Sequence, residues 1–71
     1  MNDELIAQAT SLLQAANAEW LARFDASAPL EDRAPLSRFA YEIAEAIYAL
    51  ANNKLPTDDE VARLVNANMN V

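Results

Sequence analysis

Cysteine, histidine and glycine are all missing from this 71-residue chain, and proline occurs only three times. Each absence removes a class of structure or function. Without cysteine there is no disulfide, and without cysteine or histidine a structural zinc site lacks its usual ligands. The same absences leave Ser11, Ser27 and Ser37 without an imidazole base, and no glycine-rich loop exists to cradle a phosphate. The expectation is a protein that is not an enzyme and that uses no cofactor and no metal. Lack of glycine also starves the chain of hairpin turns and bulges, while alanine is abundant, so the composition points to an all-α fold.

Positive charge is scarce as well. Five Lys and Arg face eleven Asp and Glu, for a formal net charge of −6. That balance opposes binding to nucleic acid or to anionic membranes and makes a basic protein surface the electrostatic match. No apolar run approaches the roughly 20 residues of a membrane span, and the segment MNDELIAQ carries acids where a secretory signal needs bases. These features predict a soluble, cytoplasmic protein. At this length a single core is only marginally sufficient, so self-association or a protein partner is expected to supplement it.

The pattern along residues 1–71 reads as one helical domain. A first helix is expected over about 3–24, opened by Asn2 or Asp3 as cap, with Asp3 and Glu4 where the helix dipole favours acids. At about 100° per residue, Leu5, Ile6, Ala9, Leu12, Leu13, Ala16, Trp20 and Phe24 fall within an arc of roughly 120°, an ordinary one-sided amphipathic helix with Trp20 in its core stripe. The segment Asp25 to Pro35, DASAPLEDRAP, holds two prolines among small and charged residues, and its residues 25–34 read as the connection, with room for one turn of helix near Leu30.

The second helix, about 35–52, has Pro35 in its first turn and ends at Asn52-Asn53, where asparagine suits a left-handed terminus. Its apolar residues span roughly 220° of its surface, about twice what one neighbour covers. The third helix, about 57–67, opens on a Thr57–Glu60 capping box and buries Val61, Leu64 and Val65, after which Asn66–Val71 is expected to fray.

An antiparallel hairpin of the first two helices with the third folded across one end leaves part of the second helix uncovered. The economical remedy is a homodimer with a four-helix-type bundle, in which the second helices meet through Ala40, Tyr41, Ala44, Tyr48 and Ala51. Small residues there permit close approach, and a tyrosine pair suits an interface that is apolar on one side and wet on the other. The acids Glu42, Glu45, Asp58 and Asp59 form the candidate surface for a second, basic partner.

Other chemistry is less well supplied. Glu42 and Glu45 lie three apart on one helix face, a spacing similar to that of the helical nucleotide pyrophosphatases, but a second Glu-x-x-Asp pair is missing and the di-iron variant needs histidines. A solvated strip is the simpler reading.

Leu50, Lys54, Pro56, Thr57, Asp58, Glu60, Val61, Ala62 and Leu64 form a pattern that resembles helix-turn-helix proteins, especially the bacterial sigma-factor segment ahead of the recognition helix. The resemblance implies a transcription-associated regulator with a degenerate or truncated helix-turn-helix. Base reading needs a second helix with basic flanks, whereas the tail NANMNV is neutral and Arg63 is the single base after Lys54. The function expected first is therefore a small acidic adaptor, inhibitor or regulator of another protein, of the kind phages, plasmids and toxin–immunity systems encode as short single-domain chains. The regulator is second and a structural assembly subunit third.

Overall fold

Three helices account for almost all of the backbone in the computed structural model, which describes residues 2–69, and no strand occurs among those residues. Helix α1 spans Asp3–Asp25, α2 spans Leu30–Asn52 and α3 spans Asp58–Ala67. Among the described residues no helix is long and apolar enough to cross a membrane. The molecule measures 40 × 23 × 18 Å along its principal axes, the longest being set by the antiparallel pair α1 and α2.

At the start of α1, Asn2 sits at the capping position, but its side chain makes no capping bond. Its carbonyl accepts from the Ile6 amide at 2.8 Å instead, and Asp3 and Glu4 supply the favourable charge of the first turn.

The turn between α1 and α2 is tighter than the sequence suggests. Ala28 N–H bonds to the Arg23 carbonyl and Ser27 N–H to that of Phe24, both at 3.0 Å, the paired bonds of a Schellman terminus. Ser27 holds the left-handed position usually given to glycine, at φ 61°. Helix α2 then begins at Leu30, one turn ahead of the start expected at Ala34 or Pro35. Pro29 provides the extended entry (φ −65°, ψ 158°), its carbonyl accepts from Asp32 N–H, and Glu31 and Asp32 face the positive end of the dipole. Pro35 is therefore inside the helix, on its exposed side, where water can serve the carbonyl that loses an amide partner. At the far end Asn53 turns left-handed at φ 55° and closes onto the Ala49 carbonyl.

Two interactions fix α3. Thr57 accepts from the Glu60 amide at 3.2 Å while the Glu60 carboxylate accepts from the Thr57 amide at 2.9 Å, completing the capping box. At its other end, the buried Asn17 of α1 donates through Nδ2 to the carbonyls of Val65 (3.0 Å) and Asn68 (3.2 Å). Gln14 adds a bond to the Asn68 side chain at 3.1 Å. The expected fraying of Asn66–Val71 is thus not found up to Asn68, because α1 supplies donors for the orphan carbonyls of the helix end; Asn70 and Val71 lie outside the described residues.

The core is one cluster of Leu13, Ala16, Ala40, Ala44, Ile47, Val61 and Val65, flanked by half-buried Ile6, Ala9, Ile43 and Leu64. Its position corrects two expectations. The buried arc of α1 is rotated towards Asn17, so Leu5 and Leu12 stay about half exposed, at 53% and 49%. Trp20 is only half-buried: it stacks on Phe24 with ring centroids 5.4 Å apart, and the Arg33 guanidinium lies 5.6 Å and 5.1 Å from the two centroids. The aromatic pair is therefore a clasp at the turn end of the hairpin, where the cation sits against the ring faces.

Candidate functional site

The five residues assigned to a self-interface divide in the folded chain. Ala40 and Ala44 retain 2% and 0% of their surface, so they are core residues of the monomer and unavailable to a second chain. Small side chains at these positions do permit close helix approach, but the approach is within the chain, between α2 and its neighbours α1 and α3. Tyr48 is half-buried, and its hydroxyl donates to the Glu60 carboxylate on α3. Tyr41 and Ala51 remain exposed.

The Tyr48–Glu60 bond joins the middle of α2 to the first turn of α3. It holds the Glu60 carboxyl down at about 2, mainly through the Tyr48 hydroxyl and next through the Thr57 amide, and the same bond raises the Tyr48 phenol above its ordinary value. This is a positioning contact, since it fixes how far α3 swings from α2.

That swing assembles three of the four predicted acids. Glu42 and Glu45 on α2 and Asp58 on α3 line one cavity of about 310 Å³ together with Tyr41 and Val61. Asp59, one residue further along α3, does not line it. The groove exists because Asn53 reverses the chain after α2 and the capping box then sets α3 alongside the same helix. Among the described residues the one ion pair is Arg23 with Glu19, at 3.0 Å, so none of the three groove carboxylates is ion-paired with a described residue. No group of three acids there is close enough to hold a metal ion. An open notch of uncompensated carboxylates beside an exposed phenol ring suits a cationic side chain, through charge and through the ring face together.

Tyr41 also borders a second cavity, of about 190 Å³, shared with Asn17, Trp20, Ser37, Val65 and Met69 among others. Sequence reasoning missed this side of the molecule. Asn17, a polar residue beside the edge of the apolar arc of α1, was the available signal, since a buried amide needs partners from elsewhere in the fold.

Comparison with protein-family models, with curated proteins and with solved structures finds no match for this chain. What it does must be inferred from its own geometry and charge.

Proposed function

We propose that this chain is a small acidic helical module that works by binding another protein, as an adaptor or an inhibitor, and that it catalyses nothing. The observation that carries this reading is the groove of Glu42, Glu45 and Asp58 around exposed Tyr41, three carboxylates with no ion-pair partner among the described residues. A partner presenting Lys or Arg would be steered by the net charge of −6 and seated by the groove. The reading includes a homodimer with a four-helix arrangement and a cytoplasmic location. The alternative, a regulator built on a degenerate helix-turn-helix, has less support. Helix α3 opens with Asp58, Asp59 and Glu60, acids where contacts to phosphates would need bases, and its Val61 and Val65 are committed to the core.

The test is a comparison of two charge-matched variants against a partner isolated by cross-linking and then purified. One carries Glu42→Gln, Glu45→Gln and Asp58→Asn; the other neutralises Asp3, Glu4 and Glu31, exposed acids outside the groove. Loss of three rim contacts weakens binding by about tenfold if the groove is the seat. Equal weakening in both variants would reduce the effect to net charge and remove the groove from the reading.

A further inference from the structure

The hairpin of α1 and α2 has two flanks, and α3 covers one of them. Counting about 100° per residue from the most buried positions, Leu13 and Ala44, places Asn17 and Gln14 on one side of α1 and Tyr48 on the same side of α2. Those are the residues that bond to α3. Leu5, Leu12 and Arg23 turn about 80–100° the other way on α1, and Asp32, Leu36, Phe39, Ile43 and Leu50 turn about 80–140° that way on α2. The bond from Arg23 Nη1 to the Asp32 carbonyl, at 2.7 Å, joins the two helices on this open flank and confirms that these residues share it.

The flank is apolar and nearly free of charge. Leu5, Leu12 and Phe39 are 53%, 49% and 42% exposed, with Leu36, Ile43 and Leu50 half-buried between them. Its charged groups gather at the turn end, where Arg23 is paired with Glu19. The same angular count sends Asp3, Glu4, Asp25, Glu31, Glu42 and Glu45 to the outer or opposite sides; of the other acids, Glu19 and Asp32 sit at the turn end of this flank and Asp58, Asp59 and Glu60 belong to α3.

From this we infer that a second copy of the chain docks on the open flank, hairpin against hairpin, with Leu5 and Leu12 of each copy set among Leu36, Phe39 and Ile43 of the other. The inference rests on the dimeric reading above and replaces the interface expected from the sequence. Two arguments select a copy over an unrelated protein. The first is charge: a chain of net charge −6 attracts a basic partner, yet this flank offers such a partner no carboxylates over most of its length. A neutral apolar face is matched by another neutral apolar face, and stacking the two keeps both sets of acids on the outside, away from each other. The second is area. Helices of this length run about 34 Å and a helix pair is about 20 Å wide, giving a face on the order of 650 Å² per copy. That lies within the range of specific dimers, about 600–1,000 Å² per partner. The acid groove lies on the covered side and stays open in such a dimer.

Solution mass by light scattering, from micromolar to millimolar protein, tests this with Leu12→Glu, Phe39→Glu and, as a control on the face first expected, Ala51→Glu. Leu12 and Phe39 are exposed in the single chain, so their variants keep its helical circular dichroism. We expect a mass that doubles with concentration for the parent chain and for Ala51→Glu, and a single-chain mass throughout for Leu12→Glu and Phe39→Glu. A dimer that survives both flank substitutions overturns the assignment of the face alone. A parent chain that remains single at every concentration overturns the dimer itself and leaves the groove proposal to its own test.

Discussion

Replacing Asn17 by alanine removes the amide that ties the end of α3 to α1. Its Nδ2 donates to the Val65 carbonyl at 3.0 Å and the Asn68 carbonyl at 3.2 Å from a position that is 2% exposed. A net hydrogen bond is worth about 0.5–1.5 kcal/mol, and an acceptor left buried without a partner costs more. The Val65 carbonyl keeps the Asn68 amide at 3.1 Å, so the loss falls mainly on Asn68, together with the void left by the missing carboxamide. The sum is about 2–3 kcal/mol. A domain of this length has roughly 4–10 kcal/mol in total, so the melting temperature should fall by about 10–20 °C. Thermal unfolding by circular dichroism reads that shift, and amide exchange should show α3 opening before the α1–α2 pair. Asn17→Asp keeps the shape but sets a carboxylate against two carbonyl oxygens. It should be at least as damaging at neutral pH and should recover on acidification, because the introduced carboxyl is protonated more readily folded than unfolded. An alanine variant within about 0.5 kcal/mol of the parent, with α3 protection unchanged, would refute the reasoning and leave Val61 and Val65 as the whole anchor.

Ala44→Glu should cost about 4 kcal/mol or more, because it sets a carboxylate at a position with 0% exposure; a cooperative melt at the parent temperature would place Ala44 outside the core. Tyr48→Phe should flatten the acid limb of stability. The Glu60 carboxyl is depressed from 4.5 to about 2, so its contribution is present above the ordinary carboxyl range and is lost as pH falls from there through about 2. On the alkaline side the raised Tyr48 phenol contributes below 10.0 and loses that contribution above it. Urea midpoints of parent and variant that fall in parallel at both ends would refute the link. Ser27→Gly should raise stability by about 0.5–1 kcal/mol, the relief of a left-handed residue at φ 61° less the extra freedom of unfolded glycine; a lower melting temperature would mean that the serine side chain contributes to the turn.

Features set by neighbours in the chain were open to a sequence reading. The Thr57–Glu60 box needs only its spacing of three residues, and the left-handed close at Asn53 only the chemistry of asparagine. The two prolines were ambiguous because either fits a helix start; Pro29 took that role once the paired bonds at Arg23 and Phe24 had shortened the turn. The acids of the candidate site were visible as residues, but not as a groove, since Asp58 meets Glu42 and Glu45 only after α3 has folded back.

The missing glycine, cysteine and histidine, the alanine content and the apolar periods sufficed to specify helices and an acidic surface, because those depend on local propensity and composition. Which face of each helix meets which neighbour was decided in three dimensions. Alanines at 40 and 44 admit any close helix, and it was α3, capped by Thr57 and Glu60 and held by Asn17, that settled one flank of the hairpin. That choice turned Ala40 and Ala44 inward, left Leu5, Leu12 and Phe39 on the other flank, and gathered the acids beside Tyr41.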